Sequence, residues 1–156
     1  MPVVGVTGHS NLTEHSIDLV RQELLDLLRP HADDLVGLTC LARGADQAFA
    51  DAVLELGGAI EVVIPASDYF TGITDPVSRE RCDAYLDSAA KTVTMPHEMS
   101  GPAAYLAASR HLIDRCDLLL AVWDGSGNGG TAEAVGYARD CGRSIEVVWP
   151  AGIERS

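Results

Sequence analysis

Three short segments carry most of the residue types that could hold a charged ligand: "TGHSN" at 7–11, "ARGAD" at 42–46 and "DGSGNGGTAE" at 124–133. Their glycines, Gly8, Gly44, Gly125, Gly129 and Gly130, let the backbone approach a ligand closely. Two of the segments lead into an expected helix, whose free N–H groups and dipole favour an anion. The chemistry this suggests is recognition of a nucleotide or nucleotide derivative. Its phosphate would sit on Gly8, Gly129, Gly130 and Thr131, and its ribose hydroxyls on Asp124 or Glu133. No segment matches a known phosphate signature by pattern alone. "GVTGHSN" fails G-x-G-x-x-G and "GSGNGGT" lacks the lysine of a Walker loop, which disfavours a dinucleotide-binding domain and a P-loop NTPase.

The individual candidates each have a structural alternative. Arg43 precedes Gly44 at a helix start, where a phosphate would meet a guanidinium and backbone amides; otherwise it pairs with Asp46 or another acid. His9, with Ser10 beside it at the first strand tip, either donates to a phosphate or is an ordinary loop histidine. With Thr131 as helix cap, a capping box would place its partner at position 134, which is alanine, so Glu133 has no such local explanation beyond the helix dipole. Arg110 is either a substrate contact or half of a surface ion pair. Tyr69 and Phe70 either stack on a base or close a hydrophobic lid, and Trp123 is either core or a stacking platform.

Positioning these residues requires alternating strands and helices. Apolar, β-branched runs at 3–8, 36–42, 59–65, 91–95, 117–123 and 144–150 read as six strands. Between them lie helical patterns at 13–29, 44–58, 76–89, 102–116 and 131–141, the first with Ile17, Val20, Leu24 and Leu27 on one face and Pro30 at its end. The strands are mostly continuous apolar runs without alternation, as expected where helices cover both faces of a parallel sheet. The fold class is therefore α/β: a three-layer Rossmann-like fold with a mostly parallel sheet of about six strands flanked by helices. Ligands collect outside the carboxyl ends of such strands, where all three glycine-bearing segments fall.

The 156 residues, 47% hydrophobic and 22% charged, fit one domain over 1–156 that buries roughly two-thirds of its unfolded surface. A net charge of −12, with Lys91 the single lysine, argues against an extended nucleic-acid surface. A small anionic ligand remains compatible, because exposed charges are screened beyond ~8 Å at physiological salt. Cys40, Cys82, Cys116 and Cys141 are widely spaced, which suggests reduced, buried thiols and no zinc site or disulfide framework. No metal or cofactor is implied. No apolar run approaches the ~18 residues of a membrane span, and "MPVVGVTGHS" lacks a basic start and cleavage site, so a cytoplasmic protein without a membrane partner is expected.

With these residues laid out, the chain resembles the SLOG superfamily, the Rossmann-like group that contains the Smf/DprA proteins and the Lonely Guy phosphoribohydrolases. "LARGADQAFADAVLELGG" is similar to the DprA segment around its Ala-Arg-Gly-x-Asp motif. "CDLLLAVWDGSGNGGTAEAVGYARDCGRSIEVV" is similar to the superfamily's last strand–glycine loop–helix–strand unit. Within it "GGTAE" resembles the Gly-Gly-x-Gly-Thr-x-x-Glu signature of the phosphoribohydrolases, with one residue instead of two between Thr131 and Glu133. The resemblance implies a nucleotide pocket and a homodimer formed through helices. It also implies an alternative function: cleavage of the N-glycosidic bond of a nucleoside monophosphate, with Glu133 and Arg110 as the catalytic pair, although "SGPAAYLAASRH" does not reproduce the family's arginine motif. DNA binding of the DprA type is disfavoured by the acidity.

Overall fold

A computed structural model describes residues 3–156; Met1 and Pro2, the first two residues of the expected domain, lie outside it. The elements alternate throughout: β1 (Val3–Gly8), α1 (Glu14–Leu28), β2 (Val36–Thr39), α2 (Ala45–Glu55), β3 (Ala59–Ile64), α3 (Pro76–Ser88), β4 (Lys91–Thr94), α4 (Pro102–Arg115), β5 (Leu118–Val122), α5 (Gly130–Asp140) and β6 (Ser144–Val148). The six strands form one sheet in the order β4-β3-β2-β1-β5-β6, and every pairing is parallel. The expected Rossmann-like, three-layer α/β architecture is what the chain adopts.

Apolar layers cover both faces of the central strands. Val4, Val6, Ile60, Val62, Leu120 and Val122 pack against Val20, Leu24 and Leu28 of α1 and Phe49 and Val53 of α2. On the opposite face Leu38, Val63 and Leu119 pack against Ala108, Leu112 and Ile113 of α4 and Ala134 and Ala138 of α5. Successive strand residues thus serve different helix layers, which is why the strands read as unbroken apolar runs. Two strand glycines let helices sit close: a Cβ on Gly37 would lie 2.7 Å from Val53, and one on Gly5 would lie 2.6 Å from Leu112.

Local chemistry sets the element ends. Thr13 caps α1 by accepting the Ser16 N–H at 3.2 Å, and Asp75 caps α3 by accepting the Ser78 N–H at 3.0 Å, contacts worth about 1 kcal/mol each. β2 stops at Thr39, short of the expected Ala42: the Thr39 hydroxyl accepts the Leu41 N–H at 3.0 Å and Leu41 turns to a φ of 59°. Thr131 does not cap α5 as expected. The cap is Gly129, at a φ of 99°, and Thr131 lies buried inside the first turn. Past β6 the chain folds back. Ile153 is buried, the Glu154 carbonyl accepts the Thr13 N–H at 3.3 Å, and Arg155 forms an antiparallel bridge with Leu12. Of the cysteines expected to be buried, Cys82 and Cys116 are, Cys40 is half-buried and Cys141 is exposed on the C-cap of α5.

Candidate binding site

The chain adds β2, β3 and β4 on one side of β1 and then crosses back to lay β5 on the other. The loops after β1 and β5 therefore diverge, one toward each face, and open a crevice at the carboxyl ends of these strands. A cavity of about 830 Å³ occupies this position, within the range typical of small-molecule sites. The loop after β1 (Gly8, His9, Ser10, Asn11), the region after β2 (Cys40, Ala42, Asp46) and Tyr69 after β3 form one part of its wall. Tyr105, Leu106 and Ser109 of α4, residues 128–131 and Glu133 form the other, and Arg155 completes the lining.

The glycines divide into two kinds. A Cβ on Gly8 would stand 2.5 Å from the Ala45 Cβ, and one on Gly44, whose φ is 79°, would stand 2.8 Å from the His9 carbonyl. Those two glycines let the start of α2 lie on the loop after β1, where the Ala45 N–H donates to His9 at 3.3 Å. By contrast, a Cβ on Gly125, Gly127, Gly129 or Gly130 would meet nothing within 4 Å. Packing does not demand these four glycines, although positive φ at Gly125 and Gly129 favours them.

Two helix N-termini were candidates for an anion, and they differ in what remains free. Around α2 the Ala42 N–H donates to Asp46 Oδ2 at 3.2 Å, the Leu41 N–H to Thr39, and the Ala45 N–H to His9. At α5 the cap is a glycine without a side chain, and the N–H groups of Gly130, Thr131 and Ala132 donate to no protein group among the described residues. Gly130 and Thr131 line the cavity, and the α5 dipole adds to their open donors there.

The remaining polar residues fall into three positions. Asp124 is a hub outside the cavity lining: it accepts the Ser126 N–H at 2.9 Å and Arg155 Nη1 at 3.0 Å, and its Oδ1 lies 3.1 Å from His9 Nε2. The Ser126 contacts, with help from Arg155 and His9, hold its carboxyl well below the usual carboxylate range. His9 is buried, and burial followed by the Arg155 charge lowers its pKa against the opposing pull of Asp124. The ring is therefore neutral near pH 7, and its Nε2 engages either the Asp124 N–H at 3.2 Å or the carboxylate. Asp46 is buried in the lining without an ion pair among the described residues, and burial pushes its pKa up to about 7.

Arg43 is exposed, pairs with no acid among the described residues and lies outside the lining, so neither sequence reading of it describes its position. Arg110 also stands outside, its guanidinium 5.1 Å from the Tyr137 ring centre. It shares a shallow groove with Glu133, which is exposed where that groove meets the cavity; no ion pair joins the two. Tyr69 lines the cavity in edge contact with Phe70 and Tyr105, whereas Phe70 packs against the core of α1 and α2. Trp123 donates its indole N–H to Ser126 at 2.9 Å and so pins the glycine loop. The cavity's arginine is Arg155, which also donates through Nε to Asn11 at 2.9 Å. Its sequence signal was only an apolar Ile153 in a polar tail.

An α/β protein with a parallel sheet and a ligand crevice at its switch point is the class these features define. No family model matches the chain, and no curated protein sequence does. Solved structures do. The chain is similar to DNA processing protein A from Streptococcus pneumoniae (TM-score 0.76, 20% identity, 97% of this chain and 52% of that one). It is also similar to the single-stranded-DNA-binding DNA processing protein A from Helicobacter pylori (0.71, 17%, 99% and 68%) and to the molybdenum cofactor binding protein from Rippkaea orientalis (0.63, 16%, 94% and 75%). The chain thus spans about half the length of the pneumococcal protein. Its fold is the one that these DNA processing A proteins carry.

Proposed function

We propose that this chain binds a nucleotide or nucleotide-derived ligand at the carboxyl edge of the sheet. The phosphate lies on the amides of Gly130, Thr131 and Ala132, and the sugar lies toward Glu133. The heterocycle lies along Tyr69, Tyr105 and Leu106. The observation that carries this reading is the open α5 terminus, whose donors are unused among the described residues and whose glycines have no packing role. The similar structures include a protein that binds single-stranded DNA and one that binds molybdenum cofactor, which supports binding as the use of this fold. The net charge of −12 and the cavity volume of about 830 Å³ favour a small ligand over an extended strand.

Thermal melting tests the proposal. A nucleotide present at 100 times its dissociation constant adds about 2.7 kcal/mol, which shifts the midpoint of a domain this size by about 5 to 10 °C. A panel of nucleoside mono-, di- and triphosphates and cyclic nucleotides that leaves the midpoint unmoved refutes it.

One observation favours the phosphoribohydrolase alternative: Glu133 stands beside the amide cradle with no ion-pair partner among the described residues. Arg110 does not reach the cavity, so any phosphate-holding cation in that mechanism is Arg155. Chromatography for free base released from a nucleoside monophosphate, with Glu133→Gln as control, decides between binding and turnover. The proposal includes a homodimer, for which the exposed Met99 and Val77 offer apolar surface; light scattering of the purified chain checks it.

A further inference from the structure

Asp46 is the only buried acid among the described residues, 7% exposed in the first turn of α2. It lines the cavity, accepts the Ala42 N–H through Oδ2 at 3.2 Å, and has no arginine, lysine or histidine partner among the described residues. A carboxylate offers about four acceptor positions, and the backbone amides of Ala42 and Cys40 face this one, so about half of its capacity is left for a ligand. Burying an unpaired charge is costly. Clamping the loop after β2 does not require that cost, because asparagine would accept the same N–H and bury no charge. The acid therefore calls for a partner that the described residues do not supply.

The sheet order locates that partner. β1 alone separates β2 from β5. With ~4.8 Å between neighbouring strands, the Asp46 side of the cavity and the Gly130 amides stand about 10 Å apart. A nucleoside monophosphate spans a comparable distance between its phosphate and the far edge of its base. Tyr69 lies beside Asp46 in the same wall and offers a ring face to a flat heterocycle.

We infer that Asp46 reads the base of the bound ligand and selects a heterocycle with two adjacent N–H donors, the ring N–H and exocyclic amine of a 2-amino-4-oxo ring such as guanine or pterin. This rests on the nucleotide-binding reading above and names its ligand class. Such an edge places two donors on one carboxylate, the charge-assisted bidentate arrangement. Hypoxanthine offers only the ring N–H, and adenine sets an acceptor beside its amine.

Proton linkage supplies a second signature. Burial leaves Asp46 part-protonated near its pKa of about 7, whereas the two-donor edge binds the ionised form. Binding then releases a proton and tightens as pH rises, by up to about tenfold per unit below pH 7. The titratable and charged groups on the surrounding elements are Cys40 after β2, Tyr69 after β3, His9 after β1, Tyr105 on α4, Glu133 on α5 and Arg155 of the tail. Burial raises the pKa of the first two, and His9 is neutral near pH 7 and above.

Calorimetry of the intact chain with GMP, IMP, AMP and a pterin monophosphate, at pH 6 and pH 8 in buffers of different ionisation enthalpy, tests the inference. GMP or the pterin phosphate should bind at least about tenfold tighter than IMP and AMP, with proton release, and the tighter of the two identifies the source. Asp46→Asn should weaken that ligand by about tenfold or more while keeping AMP. Equal affinities of GMP, IMP and AMP for the unmodified chain, or a preference for AMP, overturn the inference whether or not the variant folds, and leave nucleotide binding standing. No binding by any of the four removes the nucleotide-binding reading itself, and the inference with it.

Discussion

Placing an acid in the α5 cradle should separate binding from stability. Gly130 is the first residue of α5, its φ is not in the left-handed region, and a Cβ there meets nothing within 4 Å. Gly130→Asp should therefore fold. Replacing a helical glycine gains about 0.5–1 kcal/mol, and an acid in the first turn adds about 0.3–1 kcal/mol. The melting midpoint of the free protein should stay level or rise by about 2 to 8 °C. The same carboxylate would stand about 4 Å from a phosphate on these amides. Repulsion between unit charges at that distance is about 1 kcal/mol with water-like screening and about 4 kcal/mol at an effective dielectric of 20. Affinity should fall between about fivefold and several hundredfold, read by calorimetry with GMP. Gly130→Asn, which has the same shape without the charge, should bind within a few-fold of the unmodified chain. Wild-type affinity in Gly130→Asp would show that no phosphate occupies the cradle. A midpoint lowered by several degrees would show that the glycine has a packing role after all.

Three further outcomes follow from the site. Gly44→Ala combines a φ of 79° with a Cβ 2.8 Å from the His9 carbonyl; it should cost about 2 to 4 kcal/mol and lower the melting midpoint by about 5 to 15 °C. Arg155→Ala removes the charge that, after burial, lowers the His9 pKa. An NMR titration should show His9 protonating at higher pH in the variant, and an unmoved titration would place Arg155 away from it. Asp46 has a folded pKa raised from 3.8 to about 7, so the folded state holds the extra proton and stability falls as pH rises through that window. His9, with its folded pKa lowered, acts oppositely below pH 6.5. Asp46→Asn should abolish the Asp46 contribution of a few kcal/mol and gain on the unmodified chain from pH 4 to pH 8 in denaturant unfolding; parallel pH profiles would refute the buried-acid assignment.

Strand and helix identity was legible because each element declares itself over a short window. β1 spans the same residues in sequence and structure, and Pro76 and Pro102 mark the starts of α3 and α4, where a missing N–H is harmless. The glycine loop after β5 was equally visible, since clustered glycines ahead of a helix are a local signal. What a given glycine does was not visible. Gly44 and Gly129 both have positive φ, yet one is pressed against the His9 carbonyl and the other faces open space. Only neighbours distant in sequence distinguish them.

Charge placement shows the same division. The sequence determined that the chain would be an α/β domain with binding loops at one sheet edge, because periodicity and glycine position are properties of adjacent residues. The tertiary structure alone decided that Arg43 and Arg110 stand away from the cavity while Arg155, from a six-residue tail, lines it beside Asn11. It also left the acid of Asp46 buried without a cation among the described residues. Those outcomes depend on which surfaces the folded chain brings within a few ångströms of each other, and neither a residue's type nor its immediate neighbours carry that distance.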